Sequence, residues 1–491
     1  MRYLLGIDFG GGASKATLLR EDGVICADST TEYPTYYQMP GCAEQNPADW
    51  VEATCRNISG VLEKSGVSPE EICAVSLDAA THTAVIMDGE FNVIRPAIYW
   101  TDTRSTGEVA FLKENYADVI DRQVLHKADT IWSLPELLWI KNNEPENWAK
   151  MKKILFAKDY VRHCLTGDYV TDYIEAEGSM MFDINTMQWS SELCSILEIS
   201  TEMMPTIVKP TDIVGSITPE AAKLTGLCEG TPVLCGTTDT VMEVFAAGAV
   251  DKGQMTLKLA TAGRICVVTD KPYPDVNLIN YSHIIDGMFY PGTATKSCAA
   301  SYRWFRDTFG GDYKELDEMA ARVPVGSEGL VFHPYLNGEL TPYANPDLCA
   351  DFVGVRASHT KAHFTRAVLE GVAMSMLDCK TTLDNMSIVH IVSAVFIGGG
   401  GKSPMWRQMI SDALGIRLVQ MKYADSSFGS AMLAGIAVGV FESPQKAVEI
   451  CNEVVSETLP DMTANEEYNK LFKKYKAVQK VLEPIYNGEY I

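Results

Sequence analysis

The sequence predicts an α/β protein made of two domains of similar architecture that flank a cleft. The chain has 491 residues, more than the roughly 250–300 residues that a single hydrophobic core supports. Residues 4–31 follow the pattern of a strand, a glycine-rich turn and two further strands, and residues 255–269 repeat the strand, small-residue turn and strand. We therefore expect a duplication, with domains over residues 1–245 and 246–491.

The first turn has the composition of a phosphate-binding loop. The apolar strand over residues 4–9 carries Asp8 near its end and leads directly into Gly10, Gly11 and Gly12. Glycine lets the backbone approach an anion closely, so that several N–H groups can face a phosphate, and a nearby carboxylate can hold Mg²⁺ beside it. A tight turn that only connects two strands is the alternative interpretation.

The composition argues against several classes of function. The formal net charge is −23 at pH 7, and this charge repels nucleic acid and anionic membranes, so neither is an expected partner. No run of about 18 apolar residues predicts a membrane span, and Asp8 interrupts the apolar start before a secretory signal could form. The thirteen cysteines lack C-x-x-C spacing, which indicates reduced thiols of a cytoplasmic protein.

A second glycine cluster follows a buried strand in the C-terminal half. The segment 391–401 is apolar and ends in four glycines, and a helix is predicted over 403–415 with Ser403 as its N-cap. A strand, glycines and then a helix N-terminus form a geometry that binds nucleotides. The spacing matches neither G-x-x-x-x-G-K-[ST] nor G-x-G-x-x-G, because Phe396 and Ser403 occupy positions where those motifs need glycine.

Further segments extend the pattern over most of the chain. They are AVSLDAATHTAVIMD (74–88), RPAIYWTDTRS (95–105), AKDYVRHCLTG (157–167), VTDYIEAEGSMMFDINTMQWS (170–190) and ADFVGVRASHTKAHFTRAVLEGVA (350–373). From residue 4 to about 440, the chain resembles the FGGY family of carbohydrate kinases in the actin-like ATPase superfamily, and it looks closest to xylulose kinases. The resemblance implies two duplicated actin-like (ribonuclease H-like) ATPase domains.

The resemblance also implies an activity. It predicts an ATP-dependent kinase that phosphorylates a primary hydroxyl of a small ketose or polyol, with D-xylulose as the first candidate. Gluconate, ribulose, glycerol and erythritol are alternative substrates, and a non-enzymatic actin-like nucleotide switch is the alternative of a different class. ATP and Mg²⁺ are the expected cofactors, the sugar is the expected small-molecule partner, and a homodimer is one candidate assembly.

The family pattern assigns roles around the phosphates. Asp239, which follows two threonines where a strand passes into a helix, is the predicted general base, since the sugar hydroxyl must lose its proton as the phosphoryl group moves. Asp8 is expected to hold Mg²⁺. Lys15, Thr261 and the backbone of the glycine turn (Gly10, Gly11, Gly12) are expected to bind phosphate. A helix-capping role for Asp239 and a solvated role for Lys15 are the alternatives.

The remaining assignments concern adenosine and the sugar. Gly399, Gly400 and Ser403 are expected to border the adenosine. The residues expected to bind the sugar are Thr81, His82, Trp100, Asp102 and Asp239. An isolated histidine in an apolar segment is often a core residue, which is the alternative for His82.

The chain departs from the family pattern at several positions. Gly11, Gly12 and Ala13 stand where the family usually has threonine and serine, residues 260–263 are ATAG in place of GTSG, and Glu136 stands where lysine is usual. The motif GERTP lacks its arginine, with Leu340 in that position. We expect backbone N–H groups to provide more of the phosphate binding as a result.

Overall fold

The computed structural model describes residues 1–388 and 390–489. The chain divides into two compact units. Unit 1 comprises Met1–Val250, Tyr281–Gly287 and Tyr423–Asn452, and unit 2 comprises Asp251–Asn280, Met288–Lys422 and Glu453–Ile491. The units are discontinuous in sequence, whereas the predicted division at 245/246 is a single cut, and that boundary stays a prediction.

The strands and helices alternate along much of the chain. In chain order the strands are β1 (Tyr3–Phe9), β2 (Ala13–Arg20), β3 (Ile25–Glu32), β4 (Glu44–Gln45), β5 (Ile72–Ala79), β6 (Ala84–Met87), β7 (Ala97–Ile98), β8 (Lys153–Phe156), β9 (Val170–Asp172), β10 (Phe182–Asp183), β11 (Gln188–Trp189), β12 (Thr206–Val208), β13 (Ile213–Ser216), β14 (Pro232–Leu234), β15 (Thr237–Thr238), β16 (Met255–Leu259), β17 (Gly263–Val267), β18 (Gly292–Thr295), β19 (Val331–His333), β20 (Asp351–Val353), β21 (Ser393–Ile397), β22 (Arg417–Met421) and β23 (Val454–Thr458).

The α-helices are α1 (Pro47–Ser65), α2 (Thr106–Asn115), α3 (Ala117–Gln123), α4 (Ser133–Asn143), α5 (Pro145–Lys150), α6 (Ala157–Thr166), α7 (Tyr173–Gly178), α8 (Ser191–Ile196), α9 (Pro219–Thr225), α10 (Asp239–Ala246), α11 (Ala299–Phe309), α12 (Tyr313–Ala320), α13 (Lys361–Asn385), α14 (Pro404–Leu414), α15 (Ser426–Ala437), α16 (Pro444–Cys451) and α17 (Met462–Tyr486).

The central sheet of unit 1 has the order β13-β14-β5-β1-β2-β3, and β15 also pairs with β5. β1 pairs antiparallel with β2 through the glycine turn and parallel with β5 on its other side. β1 is almost wholly buried, as its apolar sequence predicts. The helices α1 and α15 pack on this sheet.

The sheet of unit 2 has the order β18-β17-β16-β21-β22-β23. Its hairpin β16–β17 is antiparallel, β18 continues the antiparallel ladder, and β21 pairs parallel with β16. The segment β3-β2-β1-β5 of unit 1 has the same arrangement. The repeat at residues 255–269 therefore corresponds to a repeated sheet topology, as the sequence predicts.

Local signals in the sequence define several element ends. α14 begins after Ser403, whose hydroxyl accepts the Trp406 N–H at 3.1 Å, and ends at Gly415 in the left-handed conformation. This helix matches the predicted span. All thirteen cysteines are free thiols, and within the described parts of the chain no helix has the length and apolar character needed to cross a membrane.

Candidate active site

The candidate site of unit 1 lies at the carboxyl ends of three neighbouring strands. Asp8 on β1 is the register partner of both Lys15 on β2 and Asp78 on β5, and Thr237 on β15 is in turn paired with Asp78. β1, β5 and β15 are parallel, and α/β sheets bind ligands beyond the carboxyl ends of parallel strands. Asp239 follows directly after β15, so it lies at the same edge.

Asp8 and Asp78 are buried carboxyl groups on register-paired residues of β1 and β5. Burial raises the pKa of Asp8 to about 7; the interaction with the Asp78 side chain opposes this rise, and the negative charges of Asp239 and Asp425 add to it. Burial and the charge of Asp8 raise the pKa of Asp78 well above its usual value. The Ser430 hydroxyl donates to Asp78 Oδ2 at 2.5 Å, so α15 contributes a hydrogen bond to this pair.

Asp239 is the first residue of α10, and Thr238 occupies the N-cap position. The Thr240 hydroxyl donates to Asp239 Oδ1 at 3.1 Å, and Thr81 Oγ1 lies 3.5 Å from the same oxygen. The helix dipole favours a negative charge at this end of α10. The structure therefore puts the predicted base beside Thr81, one of the predicted sugar residues.

The glycine turn presents exposed backbone. Gly10 N donates to Ala13 O at 3.0 Å and closes the turn, while Gly11 O accepts the Thr35 hydroxyl at 2.8 Å. Among the described residues, no protein group accepts a hydrogen bond from the N–H of Gly11 or Gly12, and both glycines are exposed. These two N–H groups are thus open to an anion, as a phosphate-binding turn requires.

Lys15 projects from β2 next to Asp8, and its ammonium group contacts Asp425 Oδ2 at 3.0 Å. Asp425 is the N-cap of α15. The predicted phosphate-binding lysine is thus held by a carboxylate from a segment more than 400 residues later in the chain.

His82 lies just beyond β5 in a buried pocket. Its backbone has a φ of +54°, its side chain is 5% exposed, and its N–H donates to the Glu175 carboxylate. The His82 ring packs 4.7 Å from Trp132, which stacks on His126 at 4.1 Å. Burial and the nearby charge of His126 lower the pKa of His82 well below its usual value, so the ring is neutral at pH 7.

Trp100 and Asp102 follow the short strand β7. Trp100 is 41% exposed, which leaves its ring available to a ligand. Asp102 is buried, accepts Ala43 N at 2.6 Å and forms an ion pair with Arg104 at 2.8 Å. These contacts indicate a role in holding the loop, and a direct contact between Asp102 and the sugar stays a prediction.

The predicted nucleotide residues of unit 2 lie beyond the parallel strands β16 and β21. Thr261 is exposed in the turn after β16, and its carbonyl accepts Cys298 N at 2.9 Å. Gly398 has a φ of +93°, and a Cβ there would lie 2.5 Å from Leu259 O, so the glycine segment is pressed against β16. Thr261 and that segment therefore share one sheet edge.

The last three predicted residues of unit 2 differ in accessibility. Gly399 is exposed, and a Cβ there would meet nothing within 4 Å, whereas Gly400 is buried against Leu259. The Ser403 hydroxyl donates to Asp317 Oδ2 at 2.6 Å while it caps α14. Gly399 is therefore the most accessible of the three, and the contacts of all three with adenosine stay a prediction.

Comparison with known proteins identifies the family. The N-terminal domain of the FGGY family of carbohydrate kinases matches residues 3–246, and the C-terminal domain matches residues 264–438. The chain belongs to the FGGY family of carbohydrate kinases. This FGGY kinase is 31% identical over 484 residues to the xylulose kinase of Bacillus subtilis (strain 168), and the match covers 97% of each chain.

Solved structures agree with this assignment. The ligand-bound xylulose kinase from Lactobacillus acidophilus is similar to the FGGY kinase with a TM-score of 0.93 at 25% identity, covering 99% of this chain and 100% of that one. A gluconate kinase from the same organism has a TM-score of 0.93 at 26% identity, covering 99% of both chains. The predicted α/β class and two-domain actin-like kinase fold are confirmed, and the FGGY kinase is an ATP-dependent sugar kinase.

Sequence reasoning missed several residues at the site of the FGGY kinase. Asp78 and Asp425 were not identified, although Asp78 ends a buried strand in the same way as Asp8. Trp132 and Glu175, which surround His82, were also missed. These residues reach the site through tertiary packing, and no local sequence motif predicts their positions.

The side chains of unit 1 suit a hydrated magnesium ion. Within residues 1–388 and 390–489, no three His, Cys, Asp or Glu side chains form a metal-binding group by themselves. Mg²⁺ does not require such a cage, since it is commonly bound by one or two carboxylates, substrate phosphates and waters. Asp8 offers one carboxylate, and Asp78 Oδ1 is a buried acceptor without a donor among the described residues, so the donor set fits.

Proposed function

We propose that this kinase transfers the γ-phosphoryl group of ATP to the primary hydroxyl of D-xylulose and produces xylulose 5-phosphate and ADP. The observation that carries the proposal is the 3.5 Å distance between Thr81 Oγ1 and Asp239 Oδ1. It sets the predicted base beside the Thr81–His82 pair that the family pattern associates with the sugar. The xylulose kinases among the similar proteins support the choice of substrate.

Asp239 would act as the general base. The hydroxyl oxygen of the sugar forms a bond to the γ-phosphorus, and the bond from that phosphorus to the bridging oxygen breaks, so ADP leaves with the electron pair. The hydroxyl proton passes to the Asp239 carboxylate. Thr240 donates its hydroxyl to that carboxylate at 3.1 Å, which orients one oxygen for proton acceptance.

His82 would bind the sugar as a neutral ring. Its Nδ1 is buried and has no hydrogen-bond partner among the described residues. A buried polar atom without a partner costs free energy, and a substrate hydroxyl that pairs with it would recover that cost. Because the ring is neutral, it can donate through one nitrogen and accept through the other.

Asp8 and Asp78 would hold the magnesium ion, which supplies neutralisation of phosphate charge when bound. Asp239 and Asp425 act on Asp8 as nearby negative charges, so the site carries negative charge before a nucleotide binds. A nucleoside triphosphate adds more, and a divalent cation reduces the resulting repulsion. The exposed N–H groups of Gly11 and Gly12 and the ammonium group of Lys15 would bind the phosphates directly.

A panel of substrates tests the proposed function. Purified kinase is assayed for ADP release with ATP, Mg²⁺ and each of D-xylulose, ribulose, gluconate, glycerol and erythritol, with a sugar-free reaction as the control for background hydrolysis. We expect the highest kcat/KM for D-xylulose. A higher kcat/KM for gluconate would favour the second candidate, which the similar gluconate kinase supports, and absence of sugar-stimulated ADP release would refute the kinase proposal.

The cellular setting is also proposed. Thirteen free cysteines suit a reducing compartment, so we place the kinase in the cytoplasm. The homodimer stays a prediction, and light scattering of the purified protein checks it.

A further inference from the structure

The Lys15 ammonium group is paired with a carboxylate from the C-terminal part of the chain. Lys15 and Asp8 are register partners on β2 and β1. The ammonium nevertheless forms its ion pair with Asp425, at 3.0 Å from Oδ2. The side chains of Lys15 and Asp425 are 32% and 41% exposed, so the pair is open to a ligand from solvent.

The Asp425 carboxylate is itself held firmly. Its Oδ1 accepts the Phe428 N–H at 3.2 Å as the N-cap of α15 and the Ser427 hydroxyl at 2.7 Å. The other oxygen, Oδ2, is thus left for Lys15. The two oxygens have separate partners, so the helix cap and the ion pair do not compete.

The start of α15 is in turn fixed against the glycine hairpin. Ser427 Oγ and Thr17 Oγ1 are 2.7 Å apart and buried. A Cβ at Gly6 would lie 1.9 Å from Ser427 O, so α15 approaches β1 as closely as a glycine allows. Asp425 therefore has a position that is rigidly related to β1 and β2, which carry Asp8 and the glycine turn.

A lysine side chain has four flexible carbons and loses considerable rotamer entropy when a ligand orders it. An ion pair with a fixed carboxylate reduces that loss before the ligand arrives. An ammonium group has three donors, and Asp425 engages it through one oxygen, so donors remain for a phosphate. Asp8, the register partner of Lys15, is a second acidic residue beside it, and a lysine without a fixed partner could turn toward that group.

We propose that Asp425 is a positioning residue that holds the Lys15 ammonium group in place to bind the terminal phosphate of a nucleoside triphosphate. The inference rests on the proposed function, since it requires Lys15 to contact that phosphate. It predicts an effect on triphosphate binding that passes through Lys15. A purely structural cap at the start of α15 would have no such dependence.

The test is a double-mutant cycle on nucleotide binding. Affinities of the full-length kinase for AMP-PNP and for ADP, each with Mg²⁺, are measured by calorimetry for wild type, Asp425→Ser, Lys15→Met and the double variant. Serine is also a good N-cap, so Asp425→Ser keeps the cap and removes the ion pair. We expect it to weaken AMP-PNP binding about fivefold, the upper range for an exposed ion pair, and ADP binding by less than about twofold.

The Lys15→Met background decides whether the effect passes through the lysine. There, Asp425→Ser should change AMP-PNP affinity by less than about twofold, because partners in one interaction are not additive. An equal loss in both backgrounds, or unchanged or tighter AMP-PNP binding in Asp425→Ser, overturns the proposal. Asp461→Ser is the matched control, since Asp461 caps α17 through Thr463 N and Ala464 N, and it should leave AMP-PNP affinity unchanged.

The cycle also separates this inference from the proposed function. If Lys15→Met leaves AMP-PNP affinity unchanged, Lys15 does not meet the terminal phosphate, and its role in the proposed function fails together with the inference. If Lys15→Met weakens AMP-PNP binding and Asp425→Ser does not, the inference alone fails. Should Asp425→Ser not fold, Asp425→Asn replaces it in the same cycle, because asparagine also caps helices and carries no charge.

Discussion

The carboxyl groups of Asp8 and Asp78 are carried by register-paired residues of the parallel strands β1 and β5, and both are buried. Burial and mutual repulsion disfavour two negative charges so close together, and they raise the pKa of both groups. The paired acids thus hold a proton in the folded protein at a pH where the unfolded chain has released it. The closeness of these two groups makes the site sensitive to pH and to the loss of either acid.

Asp78→Asn should make the stability of the protein less dependent on pH. The pKa of Asp8 is raised to about 7, against roughly 3.9 in an unfolded chain. Between these values the folded state binds more protons, so the wild type loses stability as pH rises from about 4 to about 7. Asparagine can donate to Asp8 without a proton from solvent, so the loss should shrink. The free energy of unfolding in urea is measured at pH 5 and pH 8 for both proteins. An equal decrease between these pH values in wild type and Asp78→Asn would contradict the prediction.

Asp239→Asn should abolish most turnover and spare nucleotide binding. The amide keeps the shape of the side chain and its contact with Thr240 but cannot accept the hydroxyl proton. We expect kcat to fall by about 10³-fold, within the range for loss of a general base, and the affinity for AMP-PNP to change by less than about threefold. Stopped assays and calorimetry provide the two values, and a kcat near that of wild type would exclude Asp239 as the base.

His82→Asn should weaken sugar binding selectively. Asparagine tolerates the positive φ of +54° at this position, so the backbone is kept while the ring is lost. We expect KM for the sugar to rise about tenfold, the cost of about one lost hydrogen bond, and KM for ATP to stay constant. The matched control is His163→Asn on α6, which removes a histidine that stacks on Phe91. Equal sugar KM values in wild type and His82→Asn would assign His82 to the core.

Gly178→Ala tests the pocket around His82 by adding a methyl group next to the side chains of His82 and Thr81. A Cβ at Gly178 would lie 2.7 Å from His82 Cδ2 and 3.1 Å from Thr81 Cγ2, so both side chains must move. We expect KM for the sugar to rise about fivefold. Gly107→Ala on α2 is the control, because a Cβ there meets nothing within 4 Å. A sugar KM that is unchanged in Gly178→Ala would mean that His82 and Thr81 can move without affecting sugar binding.

Gly6→Ala should destabilise unit 1 strongly. The added Cβ would lie 1.9 Å from Ser427 O and 2.3 Å from Ala431 N, both backbone atoms of α15. Separating α15 from β1 should cost about 3 kcal/mol of unfolding free energy, visible as a lower midpoint in urea. Gly12→Ala should leave the midpoint unchanged, because a Cβ at Gly12 meets nothing within 4 Å. A Gly6→Ala midpoint equal to that of wild type would show that α15 can shift at little cost.

Local signals in the sequence were sufficient to predict the hairpin β1–β2, the helix α14 with its caps, and the repeated strand pattern. Glycines, N-caps and apolar periodicity act over a few residues, so their effects can be read from the chain. The Asp8–Asp78 pair could not be predicted in this way. Its partners are 70 residues apart in sequence and meet only through the parallel pairing of β1 and β5.

The return of Tyr423–Asn452 to unit 1 was also beyond local prediction. α15 is rich in small residues and buried on most of its surface, which indicates a core helix without specifying its partner. The contacts at Gly6 and Lys15 define that partner. A third segment of unit 1, Tyr281–Gly287, likewise carries no motif that assigns it there.

The discontinuity of unit 1 has a consequence during protein synthesis. β1 leaves the ribosome long before α15, which begins at Ser426, so the helix that packs on β1 is made more than 400 residues later. At about 5–20 residues per second, β1 waits roughly 20–80 seconds for its cover. Throughout that interval, the apolar face of β1 that α15 covers in the folded protein has no native partner.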